Sequence, residues 1–202
     1  SNLLANCYQL LSMLAVDPKD KILNILPIFH TFGMTGGVVM PIMSGMKVFQ
    51  YPSPLHYRVI PEMIYDTDAT IFFATDTFLS GYAKYAHPYD FYSIKYVFAG
   101  AEKLKDETKR KWSENFGVRI FEGYGCTETS PAIAVNTPMN YKNGTVGKPL
   151  PGISCKIEKV EGIEKGGKLI VSGPNVMLGY YLASNPGVFS FPKYSFADKT
   201  RP

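Results

Sequence analysis

From its start to about its midpoint the chain alternates short runs rich in β-branched and aromatic residues with stretches of helical periodicity, each bounded by Pro or Gly. The runs 21–26, 47–51, 69–74, 94–99 and 118–122 predict strands, and 35–43, 57–65, 77–86 and 105–116 predict helices between them. In the last of these, Leu104, Thr108, Trp112 and Phe116 recur at every fourth position while lysines take the other faces, as in a helix lying on a sheet. A regular strand–helix series joined by right-handed crossovers predicts an α/β fold: a doubly wound, mostly parallel sheet with helices on both faces. After Thr129 the pattern changes to short alternating runs such as 154–158 and 168–172, separated by Gly144, Gly147, Pro149, Pro151, Gly152, Gly166 and Gly167. This predicts an antiparallel, barrel-like piece following the α/β unit. The expected division is 1–135 for the α/β part, 136–187 for the β-rich part, and 188–202 as a tail without assignment.

Composition narrows the classes. With 202 residues and 46% hydrophobic content the chain can bury one ordinary core. A formal charge of +4 is too small and too dispersed for nucleic acid, and the basic stretch 103–111, interrupted by Asp106 and Glu107, reads as a solvated helix face. Cys7, Cys126 and Cys155 are widely spaced, with no Cys-x-x-Cys pair, which points to reduced thiols and a cytoplasmic setting. The longest apolar stretch, 32–43, is cut by Gly33, Gly36, Gly37 and Pro41 and falls short of the roughly 20 residues a membrane-spanning helix needs. The chain opens without an initiator Met, a charged leader or a signal cleavage pattern, and so reads as an excised piece.

The chemistry concentrates in Gly123-Tyr124-Gly125-Cys126-Thr127-Glu128, which directly follows the fifth predicted strand. That places it at the carboxyl end of a parallel sheet, where open α/β folds bind ligands. Gly123 and Gly125 allow backbone to approach a ligand, Tyr124 offers a flat face to a base, Thr127 a hydroxyl, and Glu128 a hard oxygen for Mg²⁺. A plain alternative exists for the same letters: Gly-Tyr-Gly as a turn and Thr-Glu as a helix cap.

The wider sequence resembles the adenylate-forming superfamily of acyl-CoA synthetases, luciferases and peptide-synthetase adenylation domains. Tyr124-Gly125-Cys126-Thr127-Glu128 is similar to its Tyr-Gly-x-Thr-Glu motif, Ala99-Gly100-Ala101-Glu102 to its adenine-pocket turn, and Pro27-Ile28-Phe29-His30-Thr31-Phe32-Gly33 to a Pro-x-x-His-x-x-Gly segment lining the acid tunnel. The segments 144–152 and 173–181 resemble two further stretches in the expected order. The resemblance implies the large N-terminal domain of an acyl-CoA synthetase-like fold. Nucleotide contacts would come from Gly100, Ala101, Glu102, Gly123, Tyr124, Gly125 and Thr127, with the catalytic pair Thr127 and Glu128 meeting the α-phosphate and Mg²⁺. An acyl pocket would be lined by His30, Phe32, Gly33 and Gly36. ATP and Mg²⁺ are the implied cofactors.

A narrower likeness, carried by 51–58, 88–92 and 99–104, is to the synthetase half of the bacterial bifunctional 2-acylglycerophosphoethanolamine acyltransferase/acyl-carrier-protein synthetases. It implies a fatty acid as substrate, acyl carrier protein or coenzyme A as thiol acceptor, and a membrane lysophospholipid reached through other parts of a parent protein associated with the inner membrane. An aryl acid, or a non-catalytic acyl- or nucleotide-binding module, are the competing readings. Amino-acid-activating relatives place an Asp near the position of His30, and 27–39 contains no carboxylate. The family's phosphate loop, ribose-holding Thr-Gly-Asp and C-terminal catalytic Lys have no counterpart in these residues, and Asp198 in Ala-Asp-Lys-Thr is not assigned to the ribose. The isolated fragment is therefore expected to be inactive.

Several features have plainer readings. Gly162 to Lys168 fits Gly-x4-Gly-Lys, but Leu169 replaces the Ser/Thr and the flanks predict a hairpin turn. Asn143-Gly144-Thr145 reads as a turn. His30 either gates the acid tunnel or is a lone histidine satisfied by backbone at a strand end. His56 and His87 read as surface residues, and Cys126 as the motif's variable position.

Overall fold

A computed structural model describes residues 1–191. Asp198 and the rest of the predicted tail beyond residue 191 lie outside the described residues. The chain opens with helix α1 (Asn2–Met13) and continues through strand β1 (Lys21–Asn24) into a helical stretch. That stretch is α2 (Thr31–Met34), a π-helical turn (Thr35–Val39) and α3 (Met40–Ser44). Then come β2 (Lys47–Gln50), α4 (Val59–Thr67), β3 (Ile71–Ala74), α5 (Asp76–Tyr82), β4 (Tyr96–Ala99), α6 (Asp106–Phe116) and β5 (Ile120–Gly125). The strands β6 (Ala132–Val135), β7 (Lys148–Pro149), β8 (Ser154–Glu158), β9 (Lys168–Ser172), β10 (Tyr180–Tyr181) and β11 (Phe189–Ser190) complete it.

The main sheet has the order β2-β1-β3-β4-β5-β6-β7. The first five strands pair in parallel, with Ile22 opposite both Val48 and Ile71, Phe72 opposite Val97, and Phe98 opposite Phe121. From β1 the chain steps outward to β2, then returns across to β3 and onward to β5. With right-handed crossovers, that reversal sends α2 and α3 to one face and α4, α5 and α6 to the other. The packing agrees, since α1 contacts the π-helical turn and α3, while α5 contacts α6. Both faces being covered, β3 and β4 are buried at every position, which explains their unbroken apolar runs. Trp112 of α6 is fully buried, donates its indole N–H to the Leu79 carbonyl at 2.9 Å and packs on Phe91. Gly117 ends α6 in a left-handed conformation, φ +66.

The sheet does not stop at Val135. β6 pairs antiparallel with β5, and β7 pairs antiparallel with β6. Beyond Leu150 the barrel-like part consists of two hairpins, β8–β9 and β10–β11. The Gly162–Lys168 stretch lies in the loop and start of the second strand of the first hairpin, where Glu158 opposes Lys168. No helix among the described residues is long and apolar enough to cross a membrane.

Candidate functional site

The carboxyl ends of β3, β4 and β5 open onto a cavity of about 360 Å³. Its ring-walled end is built by Phe73 of β3 and Phe98 of β4, whose rings stack at 5.7 Å, and by Phe32 of α2, which meets Phe73 edge-on. Leu10 and Leu14 line it from the α1 side, Thr35 and Gly36 from the π-helical turn, and Met40 from the start of α3. The residues 123–128 line it from the end of β5, beside β4.

Each wall has a local cause. Ile120, Phe121 and Glu122 bury the first half of β5, after which Gly123, Tyr124 and Gly125 emerge from the sheet. The pairing register with β6 shifts between Tyr124 and Gly125, a bulge that turns the strand. A Cβ at Gly125 would collide with the Pro131 carbonyl, so the bulge requires glycine there. Thr127–Thr129 then form a 3-10 turn, with the Cys126 amide donating to Thr129 Oγ1 at 3.2 Å. Thr127 is exposed and Glu128 half-buried.

Glu128 is held on both sides. Its backbone carbonyl accepts the Met177 amide at 2.8 Å, and its Oε1 accepts the Tyr180 hydroxyl at 2.9 Å. Its own backbone N–H and the Tyr180 hydroxyl stabilise the carboxylate and hold its pKa below the ordinary glutamate value.

The other predicted residues divide. Gly100 and Ala101 line the cavity at the end of β4, and Ala101 adopts a left-handed φ of +64 that turns backbone toward it. A Cβ on Gly100 would press on the Phe32 ring at 3.1 Å. Glu102 faces elsewhere: its Oε2 accepts the Thr77 amide at 3.0 Å and the Thr77 hydroxyl at 2.8 Å, tying the turn after β4 to the start of α5. His30 is exposed and lines the cavity, and its Nδ1 accepts the Phe32 amide at 3.2 Å, capping α2. The backbone bond expected at a strand end is made instead at a helix start, by an exposed ring that also lines the cavity. Phe32 and Gly36 line the cavity. Gly33 does not; a Cβ there would collide with the carbonyl oxygens of Pro27 and Leu26, so it is a close-packing position beneath α2. His56 and His87 are exposed, with His56 Nδ1 against the Tyr51 hydroxyl at 2.7 Å.

Sequence reasoning missed Leu10, Leu14, Thr35, Met40, Phe73, Phe98, Tyr180 and the β6 residues Ala132, Ala134 and Val135. Phe73 and Phe98 were legible as strand residues, and their position at the strand ends was the available signal. Tyr180 had no local signal, because it reaches Glu128 across 52 positions of sequence.

The match to the family model described as AMP-binding enzyme runs over residues 1–181. The chain belongs to the AMP-binding enzyme family. Among its relatives, a probable 4-coumarate–CoA ligase 3 of Dictyostelium discoideum is 30% identical over 89% of this chain and 34% of its own length. A long-chain-fatty-acid–CoA ligase of Bacillus subtilis (strain 168) is 33% identical over 80% of this chain and 30% of its own length. This AMP-binding chain therefore spans about a third of the length of those relatives. Among solved structures, apo MatB from Rhodopseudomonas palustris superposes with a TM-score of 0.77 at 27% identity, covering 89% of this chain and 36% of its own. O-succinylbenzoate coenzyme A synthetase (MenE) from Bacillus subtilis, solved in complex with ATP and magnesium ion, gives 0.78 at 26%, covering 91% and 39%. The fold is that of the N-terminal domain of acyl-CoA synthetases.

The donor set suits a nucleotide and magnesium. Tyr124 is 46% exposed against the cavity, the bulge and the Ala101 turn bring backbone to its rim, and Glu128 carries an ionised carboxylate. No group of three or more His, Cys, Asp or Glu gathers among the described residues to hold a metal by themselves. A cation here would take Glu128 together with phosphate and water oxygens, the coordination Mg²⁺ favours.

Proposed function

We propose that the parent protein is a ligase that activates a fatty acid as its adenylate and passes the acyl group to a thiol. The observation that carries this reading is one continuous cavity lined both by the phosphate-type motif 123–128 and by an apolar, ring-walled pocket at Phe32, Gly36, Phe73 and Phe98. An acid lying in the pocket would have its carboxylate facing the motif. A carboxylate is a poor electrophile because its oxygen leaves badly; joined to AMP, with pyrophosphate expelled, it gains a good leaving group that a thiol displaces. The work is alignment and charge neutralisation at the α-phosphate. In this chain the Tyr124 face and the Gly100–Ala101 backbone would position the base, the Thr127 hydroxyl would donate to the phosphate, and Glu128 would hold magnesium. When bound, that ion supplies positive charge to the phosphate oxygens.

The apolar walls, without a counter-charge for an α-amine, support a fatty acid over an amino acid. The three phenylalanine rings favour an aryl acid as the second reading. The acceptor in this proposal is coenzyme A or an acyl carrier protein. The carrier-protein and lysophospholipid form rests on segments 51–58 and 88–92, which lie outside the cavity, and on the shared 99–104 turn.

The test is acid-dependent exchange of pyrophosphate into ATP by the intact parent across a series of fatty, aryl and amino acids, with coenzyme A and carrier protein compared as acceptors. Long-chain acids should give the fastest exchange, since each methylene buried adds roughly 0.8 kcal/mol. Thr127→Ala should slow the exchange by roughly one to three powers of ten, and Glu128→Gln should weaken its magnesium dependence. The 202-residue chain alone should give none. Preference for amino acids, or wild-type exchange by both variants, would sink the reading.

A further inference from the structure

The segment 173–181, which the catalytic reading leaves without a role, grips the turn that carries Glu128. Asn175 is fully buried and its Nδ2 donates to the Thr129 carbonyl at 2.6 Å and to the Ala132 carbonyl at 3.0 Å. Met177 donates its amide to the Glu128 carbonyl at 2.8 Å. Those bonds fix the backbone of the turn. The Tyr180 hydroxyl adds a third, different contact, at 2.9 Å to Oε1 of the Glu128 carboxylate itself.

The strand geometry makes this contact specific. β10 pairs with β11, Tyr180 opposite Ser190 and Tyr181 opposite Phe189. Adjacent side chains on a strand point to opposite faces, so Tyr181 packs on the Phe189 ring while Tyr180 turns to Glu128. A half-buried glutamate has three free torsions, and binding a cation through it requires freezing them. The tyrosine hydroxyl restricts them beforehand through one oxygen, with the residue's own backbone N–H as a second partner of the carboxylate, and Glu128 lines the cavity. Hydrogen bonds from outside onto ligating carboxylates act in this way on metal affinity, with losses of about 10- to 100-fold on their removal.

We propose that Tyr180 is the positioning residue for Glu128, its hydroxyl holding the carboxylate in the orientation in which it takes a divalent cation. The inference rests on the reading of Glu128 as the cation's ligand and extends it to a residue in the β-rich part. Through Tyr180, the short hairpin β10–β11 becomes part of the nucleotide site.

The test uses the intact parent and Mn²⁺ with ATP as the probe, following paramagnetic broadening of the amide signals of residues 125–129. Tyr180→Phe keeps the ring and removes only the hydroxyl; it should need about tenfold more probe for equal broadening. Tyr181→Phe, the same deletion one position along, should match wild type, and Glu128→Gln should lose the local broadening. If Tyr180→Phe binds as well as wild type while Glu128→Gln does not, the positioning role is wrong and the ligand reading stands. If all four chains behave alike, both are wrong.

Discussion

The five parallel strands and the hairpins beyond Leu150 are built on opposite terms. In the first region Ile22, Leu23, Ile71, Phe72 and Val97 are completely buried and touch one continuous core. In β8 and β9, Ile157 is 64% exposed and Leu169 39%, although both strands pair through five residue positions. Asn175 is the one buried residue beyond Leu150 among those described, and it is polar. The two regions meet through Ile153, which packs on the core, and through a set of hydrogen bonds: Asn2 Nδ2 to the carbonyls of Pro174 and Val176, Gln9 Nε2 to Pro151, and the Asn175, Met177 and Tyr180 contacts on the turn 127–129. Apolar burial is non-directional and holds a fold, whereas hydrogen bonds are directional and hold a geometry. The sheet supplies stability and the later segment supplies placement.

The largest expected effect breaks the first region at its centre. Trp112→Ala removes a fully buried indole packed on Phe91 and Phe116 and takes away one of the two donors to the Leu79 carbonyl, so it should cost about 3–5 kcal/mol in urea unfolding. Ile157→Ala in the exposed hairpin should stay within about 0.5 kcal/mol. Comparable losses in the two variants would mean that the hairpin is buttressed by something this comparison omits.

The joint between the regions should come next. Asn175→Ala leaves the buried Thr129 carbonyl without its side-chain donor, while the Ala132 carbonyl keeps Asn6 Nδ2, at a cost of about 1–3 kcal/mol. Limited proteolysis should then cut after residue 173 sooner than in wild type, while the sheet keeps its unfolding transition. Loss of the whole fold would show that the joint supports the core as well as the site.

What the letters carried and what they hid follows the same division. Strands β3 and β4 were legible as unbroken apolar runs buried on both faces, β1, β2 and β5 from shorter apolar cores between polar or glycine ends, and helix α6 because Leu104, Thr108 and Trp112 repeat on one side. Helix α1 was not, since two of its three buried positions are polar: Asn6 is fully buried, bonding the Ala132 backbone through both its amide nitrogen and oxygen, and Gln9 reaches Pro151. The π-helical turn depends on residues far away in sequence. The Asn24 side chain fills the space a Cβ on Gly37 would need, and Gln50 Nε2 takes the Gly37 carbonyl at 2.7 Å. The motif 123–128 could be placed at a sheet end from its neighbours, but its partner Tyr180 is brought there only by tertiary structure. Local periodicity reports burial; it is silent on which backbone groups a buried amide will satisfy.

The smallest effect compares cysteines across the two regions by pH. Cys7 is fully buried in the core, and burial pushes its thiol from the ordinary 9.0 up to about 11, whereas Cys155 in β8 is exposed. Loss of the Cys7 proton is disfavoured only in the folded state, so between pH 9 and 11 the unfolded chain binds fewer protons than the native one. Stability attributable to Cys7 is therefore fully present below about pH 9 and is lost as pH rises toward 11. Buried Tyr82, also shifted upward by desolvation and then by Tyr57, will add its own alkaline loss, which a difference measurement removes. The urea midpoint of wild type should fall with pH over this window more steeply than that of Cys7→Ala, and Cys155→Ala should track wild type. A thiol reagent at pH 8 should label Cys155 at once and Cys7 only as fast as the core opens. Parallel pH profiles for wild type and Cys7→Ala, or immediate labelling of Cys7, would place α1 among the loosely held elements and move the boundary between the two regions into the start of the chain.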